Sequence, residues 1–273
     1  MLIEKFLGDL PPAYNMIDIA SKTKERTPYI VVCLQECERM NTLTGTIKKS
    51  LEELNAGLLG QLNMTDDMEV LANSLYLNQQ PALWVKYAYF SQKNLMMWFE
   101  DLLLRILQLD EYSEELIAPV SLWIPGLFNP MSYLTAIMQV TSRATGMPLD
   151  NMVLKTDVLN VRDPKELQEH AEVGAYIHGF FLEGAGWELG RGQDQGNLCE
   201  MVLKELHPEL PVVHVTSIDK KDQVTEGFYL CPAYSTTLRG GTFVFQCYLK
   251  MESEEFDANL WILAGVCLLM APE

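Results

Sequence analysis

The sequence is poor in the features that staple a fold, hold a metal or attract phosphate. Its six cysteines, Cys33, Cys37, Cys199, Cys231, Cys247 and Cys267, form no C-x-x-C pair. At 273 residues the chain is also far longer than the small secreted domains that need disulfides. Cys33 and Cys37 stand four apart, on one face of a helix, but no second Cys/His pair with matching spacing follows. Reduced, partly buried thiols are therefore expected, not half of a metal site. Basic residues are scarce, with 20 Lys plus Arg against 37 Asp plus Glu and a formal charge of −17. Such a surface repels phosphate backbones and anionic lipid, which argues against nucleic acid and membrane as partners. Long apolar runs are missing as well. The most apolar stretch, residues 260–270, is shorter than the roughly 20 residues needed to span a bilayer, and reads as a buried strand. Residues 1–12 contain Glu4 and Asp9 where a signal peptide would carry its apolar core. The expected setting is aqueous and reducing.

What remains is a globular composition, 48% hydrophobic and 21% charged, on a chain long enough for two lobes. The hydrophobic period changes near Asp150. Before it, Leu43, Ile47, Leu51, Leu54 and Leu58 form a stripe opposite Lys48, Lys49, Glu52 and Glu53, the pattern of an amphipathic helix. Asp66 with Glu69 reads as a capping box opening a helix carried by Met68, Leu71 and Leu75. Ser91 is placed to cap a helix whose inner face is Leu95, Trp98, Phe99, Leu102 and Ile106. Asn129-Pro130 is a start signal for a further helix that stops at Gly146.

After Asp150 the pattern turns to alternation and short apolar runs. Candidate strands are 152–159, 175–182, 212–218, 227–230, 242–250 and 260–269, with 198–206 readable as strand or helical turn. Turn residues at Asp163-Pro164, 184–192, 219–222 and Gly240-Gly241 separate them. These readings predict an α+β chain: an all-helical segment over 1–149 and a small antiparallel β-barrel of about six strands over 150–273. The second segment holds −11 of the formal charge and all four histidines, the first −6.

Signals for chemistry are weak. Thr44-Gly45-Thr46-Ile47-Lys48-Lys49-Ser50 superficially resembles a phosphate-binding loop, but it lacks the glycine before the lysine and its apolar spacing continues as helix. Gly184-Ala185-Gly186-Trp187-Glu188-Leu189-Gly190 spaces its third glycine one residue too far for a dinucleotide fingerprint and sits between strands, where a hairpin turn fits better. His170, His178, His207 and His214 have no metal-ligand spacing. Glu169, Glu172 and Glu183 show no pairing that spacing alone can establish, and Ser217 and Ser235 have no visible base. The acidic runs 111–115 and 252–255 read as solvated loops, with a basic partner surface as the alternative. Trp123 lies in the turn 121–126, where a large aromatic packs against a neighbouring element.

Four strings then follow one another along the sequence. They are Leu122-Trp123-Ile124-Pro125-Gly126-Leu127-Phe128-Asn129-Pro130; Gly179-Phe180-Phe181-Leu182-Glu183-Gly184-Ala185-Gly186-Trp187; Tyr229-Leu230-Cys231-Pro232-Ala233-Tyr234 on through Thr237 and Arg239 to Thr242; and Trp261-Ile262-Leu263-Ala264-Gly265-Val266-Cys267-Leu268-Leu269. With Gln35-Glu36, Arg39, Asn41, Ser50-Leu51, Pro81 and Trp84 upstream, they resemble the carboxy-terminal region of dynein heavy chains, the microtubule motor ATPases. Phe180, Phe181, Ala233 and Cys267 depart from the family's usual residues.

The resemblance implies a helical segment followed by a small β-barrel that follows the sixth AAA+ module and lies on the motor ring, with Glu273 ending a much longer chain. It further implies a non-catalytic element that modulates motor output, with no cofactor of its own because ATP and Mg bind elsewhere in the heavy chain. Partners would be AAA+ modules of the same chain or, on a second reading, other dynein-complex or axonemal subunits; the compartment would be the cytoskeleton of a cilium or flagellum. The positions that match the family's motifs are Trp123, Gly126, Asn129, Pro130, Gly184, Gly186, Trp187, Cys231, Pro232, Tyr234, Arg239, Trp261 and Gly265. They are expected to serve structure or an interface; none is expected to be catalytic or to bind a metal.

Overall fold

Apolar residues at three- and four-residue steps wind the first part of the chain into helices: α1 (Leu2–Asp9), α2 (Met16–Ser21), α3 (Pro28–Leu58), α4 (Asp66–Tyr76), α5 (Ala82–Val85) and α6 (Leu95–Glu115). They come from a computed structural model that describes residues 2–191, 195–252 and 257–270. Gly192 of the glycine-rich stretch, residues 253–255 of the second acidic run and the tail 271–273 lie outside the described residues. Leu43, Ile47, Leu51 and Leu54 of the α3 stripe are fully buried, while Leu58 at its end is exposed. The α6 face Leu95, Trp98, Phe99, Leu102 and Ile106 is buried as its spacing predicts.

Two caps differ from expectation. Thr65, not Asp66, caps α4, its side chain accepting from the Met68 N–H. Asn94, not Ser91, caps α6 through the Met97 N–H, because the Ser91 hydroxyl is already turned onto the Lys93 N–H. The run 111–115, expected as a loop, is the last turn of α6.

Two compact units make up the fold, Met1–Arg26 with Cys33–Ile117, and Thr27–Val32 with Ala118–Glu273. The first is centred on aromatic rings. Phe6 stacks on Phe99 at 4.1 Å between centroids, Trp84 lies 6.0 Å from Trp98, and the Trp84 indole donates to the Ser50 hydroxyl at 2.9 Å. It also seals a charge cluster. Asp101 accepts from Lys93 at 2.8 Å and from Arg105 at 2.7 Å, and the Arg105 guanidinium lies 3.5 Å from the centre of the Tyr89 ring. Burial alone would raise the Asp101 pKa, but the two cations outweigh it and hold the carboxyl below its usual value.

The second unit takes the first turn of α3, where Tyr29 packs on Tyr133 at 5.3 Å, and builds three hydrogen-bonded sheets. Their strands are β1 (Ser121–Trp123), β2 (Met152–Val158), β3 (Ala175–His178), β4 (Phe181–Glu183), β5 (Ala185–Glu188), β6 (Asn197–Glu200), β7 (Leu206–Glu209), β8 (Val213–Asp219), β9 (Phe228–Tyr234), β10 (Phe243–Lys250) and β11 (Cys267–Leu269). Helix α7 (Pro130–Thr145) packs against β2, β8 and β10, and α8 (Ala258–Ala264) precedes β11. One sheet runs β1-β3-β8-β2, the second β10-β9-β11-β4-β7, and β5 pairs with β6 alone.

The class is α+β, but the described strands do not close into a barrel. Nor are they all antiparallel, since β1 runs parallel to β3 and β11 parallel to β9. Between the large sheets a side chain stands in for a ladder. The buried Thr156 hydroxyl on β2 accepts the Tyr248 N–H of β10 at 2.7 Å and lies 3.3 Å from the Cys247 sulfur. Two of the predicted strands also change. The run 175–182 breaks into β3 and β4 at Gly179, and 260–269 is not one strand but the helix α8 followed by β11. Asp257 caps α8, its carboxylate accepting the Asn259 N–H, and Gly265 ends the helix in the left-handed region at φ +70°. The glycine-rich 184–190 is likewise more than a hairpin turn, since 185–188 pairs as β5 with β6.

Candidate functional site

The motif residues fall into two groups within the second unit. The first lies where β1 enters α7. Trp123 ends β1 half-buried, the buried Gly126 closes a single 3₁₀ turn over Ile124–Gly126, Asn129 caps α7 through the Ser132 N–H at 3.3 Å, and Pro130 occupies the first helical turn. Gly179 backs onto this corner at φ +101°. A Cβ there would sit 2.6 Å from both Trp123 Cδ1 and Pro125 Cδ, so only glycine fits. Gly179 opens the second motif string, yet its role is invisible in the sequence, because close approach to a tryptophan far away along the backbone has no local signature.

The second group surrounds β11, which lies between β4 and β9. Cys231, Pro232 and Tyr234 are on β9; the Tyr234 carbonyl accepts the Met270 N–H at 2.9 Å. Gly184 follows β4 and donates its N–H to the Glu205 carbonyl at 2.9 Å, and Gly186 faces Cys199 across β5 and β6. Arg239 ties the group together. Its guanidinium donates to the Glu183 carboxylate at the end of β4 and, at 3.0 Å, to the Gly265 carbonyl that ends α8. One residue on, the Tyr229 hydroxyl donates to the Val266 carbonyl at 2.7 Å. Two side chains from the β9 region thus fix the carbonyls of the α8–β11 corner. Tyr229 is a site residue that sequence reasoning misses, and Glu183 is weighed there only as an unpaired carboxylate. Both stand inside motif strings, but nothing in the spacing marks Arg239 as the partner of Glu183.

Trp187 stands apart from this cluster, half-buried on β5 opposite Leu198. Trp261 is the one α8 residue turned fully inward, at 6% exposure, while its neighbour Leu263 is 85% exposed and Leu260 and Ile262 are also exposed. A pocket of ≈ 330 Å³ opens beside them, lined by Gly184, Glu200, Met201, Leu203, Leu260, Trp261 and Ala264. Among the described residues, the Trp261 and Trp187 indole N–H groups find no acceptor.

Burial pushes the Cys247 thiol up to about 12 and the Cys267 thiol to about 11, and raises Cys231 well above its ordinary value. All three are therefore protonated at neutral pH and poor nucleophiles. His178 contacts the Ser121 hydroxyl at 2.9 Å through Nδ1, His170 and His214 contact the Ala118 and Val173 carbonyls through Nε2, and the half-buried His207 stands apart from them. Among the described residues no three His, Cys, Asp or Glu side chains gather where a metal could sit, and no helix is long and apolar enough to cross a membrane.

Known proteins resemble this sequence along nearly its whole length. The family model for the C-terminal domain of the dynein heavy chain matches residues 1–270. The sequence is 44% identical over 269 residues to the "Dynein beta chain, ciliary" of Heliocidaris crassispina and 42% identical over 269 residues to the human "Dynein axonemal heavy chain 9". It is 38% identical over 274 residues to the "Dynein alpha chain, flagellar outer arm" of Chlamydomonas reinhardtii. Each match covers 98% of this chain and 6% of the relative, so the 273 residues span a small fraction of those proteins' length. On the strength of this match along almost its whole length, the chain belongs to the family of carboxy-terminal domains of dynein heavy chains.

Proposed function

We propose that this chain is the non-catalytic carboxy-terminal element of an axonemal dynein heavy chain, working in a cilium or flagellum. In this reading it packs on the AAA+ ring of its own heavy chain and modulates motor output, while ATP and Mg bind in other parts of that chain. The observation that carries it is the apolar face around α8. Met201, Leu203 and Leu260 line one pocket there, and Leu260, Ile262, Leu263 and Val202 are exposed, apolar surface of the kind that marks an interaction site. A second support is the helical state of Thr44–Ser50. These residues lie inside α3, where backbone N–H groups are committed to helix bonds and cannot cradle a phosphate.

Contacts on a ring alter motor behaviour only if they differ between ring states. The test is an intact heavy chain against one lacking residues 118–273, compared in microtubule-activated ATPase and gliding velocity. A change in either is expected; identical behaviour in both overturns the regulatory reading.

A further inference from the structure

The groove beside α8 is apolar with one carboxylate in its lining, Glu200, and it is built from acidic stretches of the chain; the combination specifies an occupant. Its floor and walls come from Met201, Leu203, Leu260, Trp261 and Ala264, with Glu200 at the edge. Residues 200–206 and 257–264, which supply most of that lining, carry three carboxylates, Glu200, Glu205 and Asp257, against the single ammonium of Lys204. The Arg239 guanidinium does not relieve this, because it is engaged with Glu183 and the Gly265 carbonyl. Glu188 on β5 and Glu200 on β6 add carboxylates along that strand pair.

Resting on the proposed reading of the chain as part of a longer motor, we propose that this groove receives a basic amphipathic segment from elsewhere in the same heavy chain. Its aliphatic side chains would enter the pocket, and its Lys or Arg residues would face Glu200 and Glu205. The chemistry follows from complementarity. Aliphatic anchors suit a cavity of ≈ 330 Å³ walled by Met, Leu and Trp. Opposite charge around the rim fixes register and rejects acidic segments. The same-chain source follows from size. One short helix and one loop offer a small face beside the roughly 800 Å² per partner that a free-standing interface needs. Tethering raises the effective concentration of an internal segment to about the millimolar range, where a small contact suffices.

The intact heavy chain provides the test. A photoreactive p-benzoylphenylalanine replaces Leu263, or in a control the exposed Leu104 of the helical unit, and the cross-linked peptide is read by mass spectrometry. A cross-link from position 263 to a segment of the same chain bearing aliphatic and Lys/Arg residues is expected. Its yield should fall about fivefold when Glu200→Lys and Glu205→Lys are combined, with secondary structure and melting unchanged. A cross-link to another polypeptide, to a segment without basic residues, one unaffected by the charge reversal, or no cross-link at all overturns the proposal. The truncation experiment keeps the two readings distinct. A motor altered by truncation but silent at position 263 loses only the groove; one cross-linked at 263 but indifferent to truncation loses only the regulatory reading.

Discussion

Aliphatic residues meet opposite fates in the two units. In the helical unit Leu43, Ile47, Leu51 and Leu54 recur along α3 and all are sealed from water. In the strand-bearing unit Leu260, Ile262 and Leu263 follow one another along α8 and all are exposed, with only Trp261 turned inward. Spacing, not apolarity, decides which side chains a helix can bury, because consecutive residues point around its whole circumference. The units treat charge differently too. The first buries Asp101 and Arg105, with Arg105 against Tyr89 and a half-buried Lys93 beside them, while the second leaves Arg239 and Glu183 partly open at the corner they hold.

Breaking that contrast at its strongest point gives the largest expected effect. Asp101→Asn removes the buried anion on which Lys93 and Arg105 converge, at a cost of about 3–5 kcal/mol. Chemical denaturation followed by tryptophan fluorescence should show the helical unit unfolding early, since Trp84 and Trp98 report on it. A loss below about 1 kcal/mol, the range of exposed pairs, would mean that the cluster is solvated and the contrast false.

The next test concerns the corner between β1 and α7. Gly179→Ala places a Cβ against Trp123 and Pro125 at a positive φ, combining strain with overpacking for about 2–4 kcal/mol. A near-neutral melting temperature would show that the corner yields. This position also marks how far the sequence can be read. Local periodicity makes the α3 stripe and the α6 face legible, and the Asn129-Pro130 cap with the left-handed Gly146 is visible as a start and stop. The strands β2, β8 and β10 are legible for the same reason, since alternation is a local property.

The break at Gly179, the Thr156 link in place of a closing ladder and the Arg239 clasp all join residues distant in sequence. No local pattern encodes them. The run 260–269 misleads for a different reason. Its apolarity matches a buried strand, while Asp257 and Gly265, the two signals of a short helix, sit just outside it and at its middle. Of the candidate site, the motif strings mark the positions, but not their grouping into a corner and a clasp.

A smaller loss is expected at that clasp. Arg239→Ala leaves the Gly265 carbonyl and the Glu183 carboxylate without their donor, for about 2 kcal/mol. Arg239→Lys should recover less than half of it, because an ammonium cannot span both acceptors as a planar fork does. Hydrogen exchange at Val266 and Cys267 is the direct readout. If the lysine variant protects those amides as well as arginine does, geometry is irrelevant there and charge alone holds the corner.

The smallest effect separates the units by pH. Burial lowers the His178 pKa from 6.5 to about 4, partly opposed by the charge of Asp163, so the folded second unit prefers the neutral ring that contacts Ser121. Between about 4 and 6.5 the unfolded protein therefore binds more protons at this residue than the folded one. Stability from this source is full above pH 6.5 and is lost as pH falls towards 4. Water reaches the half-buried ring, so the loss is about 1 kcal/mol. Asp101 acts lower. Its carboxyl is held below 3.8 in the fold, so its contribution persists until pH falls beneath that value. Acidification from about pH 7 to about pH 4.5 should thus weaken the strand-bearing unit first and leave the helical unit's cluster intact. His178→Asn, which keeps a polar contact for Ser121 without a titrating ring, should flatten the second unit's pH dependence over that range. An unchanged slope in the variant would assign the acid sensitivity to other groups and remove the distinction between the two units.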